Sequence, residues 1–111
     1  MYKIVTTPVF KLCLNRLLHF LKSKYSAQLA TDTKEQIKKA IIQKLSENPF
    51  VAPISERLID LGITEYRQVM VDEQNIVFYR IDEDQKEVTL LAVMDSRQSI
   101  QKLLSEVVLL V

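Results

Sequence analysis

Residues 66–104, which read YRQVMVDEQNIVFYRIDEDQKEVTLLAVMDSRQSIQKLL, decide the fold of this chain. Three segments of this stretch are rich in β-branched and aromatic residues and are separated by short polar links. Such links favour β-hairpins between neighbouring strands. The stretch therefore predicts three consecutive strands, at 66–71, 76–81 and 88–94. The last of them is apolar on both faces, which is typical of a central strand that is covered on both sides.

The segment after the last strand has the signals of a helix start. Asp95 and Ser96 carry side chains that can cap a helix, and apolar residues recur after them. We therefore predict a short helix from Gln98 to about Val107.

The residues before the three strands predict one further strand and two helices. Residues 2–6 are rich in β-branched side chains, and the Thr7-Pro8 pair is typical of a helix start. A stripe of apolar residues then predicts a first helix to about residue 26. Thr33 and Gln36 have capping-box spacing, so the second helix is expected to begin there and to end at Pro49. The apolar stripe of the first helix comprises Phe10, Leu14, Leu17, Leu18, Leu21 and Tyr25.

The resulting order is β-α-α-β-β-β-α, within a single domain of residues 1–111. It predicts the α+β class, with a helical hairpin packed on a small, mainly antiparallel, four-stranded sheet. The segment between the second helix and the three strands contains Pro53 and the only glycine, Gly62. We expect a loop there, with a helical turn around residues 55–61.

Composition excludes several classes of site. A single glycine leaves no Gly-rich loop for phosphates, and a single cysteine, Cys13, offers neither a disulfide nor a zinc site. The formal charge is +1, so the overall field does not steer the protein toward nucleic acid. No apolar run suggests a signal peptide or a membrane span. We expect a cytoplasmic protein that uses no cofactor or metal.

The order of elements and several motifs resemble the RelE/ParE superfamily, the small toxins of type II toxin–antitoxin pairs and plasmid stabilisation systems. The resemblance covers nearly the whole chain. The family's aromatic-Arg start of the second strand is matched by Tyr66-Arg67, and its aliphatic-Tyr-x-Ile third strand is similar to residues 78–81. The turn after the fourth strand, residues 95–100, is similar to the family's His-x-Arg-Arg-Asp-Ile.

The resemblance implies two kinds of activity. Some members of the superfamily cut mRNA on the ribosome, and others bind and poison DNA gyrase. If this chain is a metal-independent nuclease, the residues that match the cutting members' cations and proton-transfer groups are Arg67, Tyr79, Arg80 and Arg97.

The chain also departs from the cutting members. Asn75 and Ile76 stand where many have Tyr and Arg, and residues 100–104 contain no Tyr or His beyond the turn arginine. A tyrosine with an ordinary pKa needs a dense positive field to act as a base. The resemblance therefore favours a ParE-like toxin that binds a protein target such as DNA gyrase. Two alternatives stay open: a RelE-like ribosome-dependent mRNA endoribonuclease, and a non-toxic interaction module on the same fold.

The expected partner is a cognate antitoxin, with gyrase or the ribosome as the target and a homodimer as one allowed assembly. The C-terminal residues are more apolar than one packing face needs. One interpretation is that they pack back onto the sheet. The other is that they bind the antitoxin, together with Arg97. The residues expected at that interface are Arg97, Leu103, Leu104, Val107, Val108, Leu109 and Leu110.

Overall fold

The structure is a computed structural model that describes the backbone of residues 1–108 and the side chains of residues 1–107. Within these residues, four strands and four α-helices follow one another, with one 3₁₀ turn at Pro49–Val51. The order predicted from the sequence is confirmed, and the short helix expected near residue 55 is present as α3. The elements are β1 (Lys3–Thr6), α1 (Pro8–Lys24), α2 (Ala27–Leu45), α3 (Glu56–Ile59), β2 (Arg67–Met70), β3 (Asn75–Asp82), β4 (Glu87–Asp95) and α4 (Ile100–Val108).

The structure confirms both signals that predicted the start of α1, the capping residue Thr7 and the proline Pro8. The Thr7 hydroxyl accepts a hydrogen bond from the backbone N–H of Phe10 at 3.0 Å, and Pro8 occupies the first turn. The same hydroxyl donates to the carbonyl of Leu90 at 2.9 Å, so the cap also joins the helix to β4. One side chain thus fixes both the start of α1 and its place on the sheet.

The prediction that α2 begins at Thr33 is wrong. The helix begins at Ala27, and Ser26 caps it by accepting from the N–H of Leu29 at 3.0 Å. Thr33 is a buried residue inside the helix, as is Ala30. Burial of Ala30 and Thr33 against the domain outweighs the capping-box signal, which is purely local. Tyr25 was expected on the packed face of α1 but is its exposed C-cap residue.

The sheet has the order β1-β4-β3-β2. Two of its three pairings are antiparallel, and β1 runs parallel to β4. β4 lies between β1 and β3, as its apolar residues on both faces predict. Its register against β3 skips Leu91, which places one extra residue in β4 opposite the Phe78/Tyr79 step. The bulge breaks the strict alternation of faces, and Ala92, Val93 and Met94 are buried in succession.

The glycine at the end of α3 has a structural reason. Gly62 has φ of +81°, and its N–H donates to the carbonyl of Ile59. The next N–H, of Ile63, donates to the carbonyl of Leu58. A left-handed residue with this pattern of bonds closes a helix C-terminus, and glycine adopts it without strain.

The start of α4 differs from the prediction. Asp95 is the last residue of β4, and a turn precedes the helix, which begins at Ile100. The Ser99 hydroxyl, not that of Ser96, accepts from the N–H of Lys102 at 3.2 Å. The buried side chains of α4 are Ile100, Leu103 and Val107, which share one helical face. Packing of this face onto the core sets where the helix begins.

Among the residues that the structure describes, no helix combines the length and the apolar character that crossing a bilayer would require.

Candidate functional site

A groove of about 850 Å³ lies between the helical hairpin and the end of the sheet where β4 terminates. One wall comes from the second half of α1 and the first half of α2, and it includes Phe20 and Leu29. The opposite wall comes from the β2–β3 turn and from the turn after β4. Buried side chains of Cys13, Val93 and Leu103 also line the groove. This concave surface combines apolar and polar side chains, so it is the first candidate for a functional site.

Arg97 lines this groove, but its charge is already engaged. Its guanidinium donates to both carboxylate oxygens of Asp95, with distances of 2.9 Å from Nε and 2.7 Å from Nη2. The backbone N–H of Arg97 donates to the same carboxylate at 2.9 Å. The hydrogen bonds from Arg97 lower the pKa of Asp95, while burial of the carboxylate opposes this shift. A two-point Arg–carboxylate pair is neutral overall and holds both side chains in one geometry.

Tyr79 is fully buried, and its hydroxyl donates to the carbonyl of Pro49 at 2.6 Å. Burial raises the pKa of Tyr79, with the charge of Arg67 acting weakly in the opposite direction. A phenol with a raised pKa, no exposure to solvent and its proton committed to a backbone carbonyl is a poor base. The hydrogen bond from its hydroxyl links β3 to the 3₁₀ turn after α2.

The two strand arginines are in different environments. Arg67 is half-buried; it donates to the carbonyl of Ala52 at 2.6 Å and lies over the Phe50 ring, 5.2 Å from its centroid. Arg80 is exposed. Arg67 pairs directly with Tyr79 across the β2–β3 ladder, so their side chains share a face and Arg80 projects from the other.

The structure does not bring the four nuclease candidates together. The turn that carries Arg97 follows Asp95, which pairs with Asn75 at the start of β3. Tyr79 lies four residues farther along β3, which is roughly 13 Å at about 3.3 Å per residue. Arg80 is one residue farther still and on the opposite face. No single phosphate can contact all four groups.

The C-terminal residues divide into two groups. Leu103 and Val107 are buried, and Leu104 is partly buried against the same core, which matches the packing interpretation for these three. The salt bridge between Arg16 of α1 and Glu106 of α4, at 2.7 Å, holds this helix to the hairpin. The side chain of Val108, and both Leu109 and Leu110, lie outside the described residues. Their role in partner binding stays a prediction.

Sequence reasoning missed the groove. Phe20 is an aromatic residue outside the predicted apolar stripe of α1, and it was a local signal that this helix carries further apolar surface. Cys13 is buried beneath the groove, and burial raises its pKa. Within the described residues, no group of three His, Cys, Asp or Glu side chains could hold a metal ion.

Comparisons with known proteins define the fold. No family model and no curated protein match the sequence. A chain of the toxin–antitoxin complex RelBE2 from Mycobacterium tuberculosis is similar in structure, with a TM-score of 0.57 and 18% identity; the match covers 85% of this chain and 96% of that one. HP0892, a conserved hypothetical protein from Helicobacter pylori, is similar with a TM-score of 0.54 and 17% identity, covering 86% and 96%.

The chain has the RelE/ParE-like fold. The resemblance predicted from the strand motifs is thereby confirmed in the arrangement of helices and strands. Of the arginines on which the resemblance rests, Arg67 and Arg97 take part in packing and ion pairing, whereas Arg80 is exposed. Arg67 donates a hydrogen bond to the carbonyl of Ala52, just after the 3₁₀ turn, and Arg97 pairs with Asp95 in the turn before α4.

Removing the Tyr79 hydroxyl is expected to cost stability. Tyr79→Phe leaves the buried carbonyl of Pro49 without its hydrogen bond, so the free energy of unfolding should fall by about 1–2 kcal/mol. Urea unfolding followed by circular dichroism measures this. Tyr25→Phe is the matched control, because Tyr25 is exposed and should change stability very little. Equal effects of the two substitutions would contradict the structural role of Tyr79.

The Asp95–Arg97 pair predicts a pH dependence of stability. Because the pKa of Asp95 is lower in the folded state, its contribution is present above the unfolded pKa, which is about 3.9. That contribution is lost as the pH falls through the folded value. Asp95→Asn should therefore destabilise the protein at neutral pH and bring it closer to wild type near pH 3. Urea unfolding at both pH values tests this, with the exposed Asp60→Asn as control; the same deficit at both would contradict it.

Proposed function

We propose that the protein is the toxin of a type II toxin–antitoxin pair that acts by binding a protein target, with DNA gyrase as the first candidate. The RelE/ParE-like fold supports a toxin, because one of the similar structures is a toxin–antitoxin complex. The choice of a protein target rests on the chain's own residues. The antitoxin partner belongs to the same proposal.

The observation that carries the choice is the dispersal of the nuclease candidates. Cleavage of RNA by its own 2′-hydroxyl needs a base, an acid and cations that converge on one phosphate. Here the tyrosine is buried and bonded to Pro49, one arginine is engaged with the Ala52 carbonyl, and another is paired with Asp95. Arg80 remains as an exposed cation on a separate face. A binding toxin requires none of these groups to converge.

Induction of the protein alone in a bacterial host tests the proposal. DNA, RNA and protein synthesis are followed separately, with mRNA integrity read by primer extension. We expect an early DNA-damage response with intact mRNA, and inhibition of gyrase supercoiling by the purified protein. Arg80→Ala should keep both effects, because this exposed side chain has no part in the proposed activity.

Two outcomes contradict the proposal in different ways. Early loss of translation with cut mRNA, abolished by Arg80→Ala, indicates the endoribonuclease instead. Normal growth with soluble, folded protein indicates the non-toxic interaction module. An adjacent reading frame for a small, charged, partly disordered protein would favour either toxin over that module.

The C-terminal tail is proposed to contribute to antitoxin binding through residues 109–111. Val107 is part of the core, so a deletion that begins after residue 108 spares the packed face of α4. We expect the truncated protein to stay folded and to bind the antitoxin at least about tenfold more weakly, which is about 1.4 kcal/mol. Unchanged affinity in a calorimetric titration would remove the tail from the interface.

A further inference from the structure

The groove beside Arg97 has one wall that is apolar and exposed. Phe20, Tyr25 and Leu29 lie together where the two helices of the hairpin meet, and they are 50%, 61% and 39% exposed. The rings of Phe20 and Tyr25 form an edge-to-face pair with centroids 6.5 Å apart. Clustered apolar side chains around a concavity are typical of an interaction site, whereas a single exposed one has no such meaning.

The other wall is polar and carries uncompensated negative charge. The two arginines that line the groove are already paired, Arg97 with Asp95 and Arg16 with Glu106. Asp72 and Glu73, in the β2–β3 turn, have no cationic side chain within salt-bridge distance among the described residues. Asp72 is also held in place, because its carboxylate accepts from the N–H groups of Gln74 and Asn75.

Positive charge lies on the other side of the groove, on the hairpin. The Lys24 ammonium is 5.4 Å from the centroid of the Phe20 ring and 5.7 Å from that of Tyr25. The groove thus has a cation beside its apolar wall and two carboxylates on its polar wall. This distribution disfavours a phosphate backbone along the polar wall, because Asp72 and Glu73 would repel it.

We propose that the groove binds an amphipathic helical segment of a partner protein, with its apolar side chains on Phe20, Tyr25 and Leu29 and a Lys or Arg facing Asp72 and Glu73. An apolar wall opposite a charged wall matches the two faces of such a helix. The carboxylates on one wall and the ammonium beside the other favour a segment whose basic residue faces Asp72 and Glu73. The identification of the partner as the antitoxin rests on the proposed function. The binding of an amphipathic helix is argued from the groove alone and does not depend on that function.

Selection from a peptide library tests this. Randomised 15-residue peptides displayed on phage are selected on the immobilised wild-type protein and, in parallel, on the Phe20→Ser/Leu29→Ser double variant. We expect enrichment on wild type only, of peptides with apolar residues at i, i+3, i+4 and i+7 and with Lys or Arg on one flank. Thermal unfolding establishes that the double variant stays folded, since both positions are exposed.

The requirement for a basic residue opposite Asp72 and Glu73 is tested by measuring peptide affinity. Fluorescence anisotropy of one enriched peptide should give a dissociation constant at least about tenfold higher for Glu73→Lys at low salt, with the difference shrinking as salt is added. A peptide with its basic residues replaced by Glu should bind Glu73→Lys better than wild type. The controls are Ile42→Ser on α2 and Glu83→Lys in the β3–β4 turn, which are exposed and outside the groove.

Equal enrichment on both proteins, enriched peptides without basic residues, or unchanged affinity for Glu73→Lys would each overturn the proposal. These results are independent of the growth experiment. A groove that binds such peptides in a protein that leaves growth unaffected supports the inference and contradicts the proposed toxin. A toxic protein whose groove selects no peptides supports the proposed toxin and contradicts the inference about the groove.

Discussion

Replacing Val107 with aspartate should lower the free energy of unfolding by more than about 3 kcal/mol, since the change removes a buried apolar side chain and places a carboxylate in the core. Val107 is fully buried and lies on the face of α4 that also carries Ile100 and Leu103. We expect release of α4 or unfolding of the whole domain, seen as a lower urea midpoint and as faster amide exchange in the helix.

Ser105→Asp is the matched control for this prediction. Ser105 is exposed on the same helix, two residues away, so the identical charge there should change stability by less than about 0.5 kcal/mol. The pair separates burial of charge from any effect of charge on the helix itself. Equal, small effects of both substitutions would show that α4 is not part of the core and would return the C-terminal residues to the list of free binding surfaces.

Phe78→Ala should cost about 3–5 kcal/mol, because a large side chain at a fully buried position leaves a cavity in addition to the lost transfer energy. Phe78 lies in the middle of β3, beside the extra residue of β4, where the two strands change register. Domains of this kind are typically stable by about 5–15 kcal/mol, so the variant should lose a large share of its stability. Chemical unfolding monitored by circular dichroism gives the value.

Phe20→Ala is the matched control for Phe78→Ala. The same atoms are removed, but Phe20 is half exposed on α1, and alanine favours a helix. Stability should change by no more than about 0.5 kcal/mol. A large loss for Phe20→Ala would mean that the apolar wall of the groove supports the fold, and its exposed side chains would then be poor candidates for a partner site.

Local patterns in the sequence predicted most of the architecture. The Thr7-Pro8 start of α1 and the two polar links between strands depend on residues that are close in the chain. They therefore predict a helix start and two turns without knowledge of the tertiary contacts. The apolar character of residues 88–94 predicted a central strand for the same reason. Motifs around Arg67, Tyr79 and Arg97 were sufficient to predict the RelE/ParE-like fold.

Where a local signal competed with packing, packing prevailed. The capping box at Thr33 is a valid helix start, yet burial of Ala30 and Thr33 extends α2 back to Ala27. Asp95 could have capped the last helix, but it pairs with Arg97 while the buried face of α4 sets a later start. Both errors arise because burial energy depends on what lies opposite a residue, which local spacing does not encode.

What the sequence by itself determined is the set of elements, their order and the absence of a phosphate loop. What only the tertiary structure decided is the position and the contacts of each functional candidate. The Tyr79 hydroxyl reaches the carbonyl of Pro49, 30 residues away, and the groove joins the hairpin to two turns that are distant in the chain. These contacts are non-local, so the same tyrosine and arginines could have formed a nuclease site in another arrangement. Here Tyr79, Arg67 and Arg97 form contacts within the fold, Arg80 is exposed, and the groove is open to a partner.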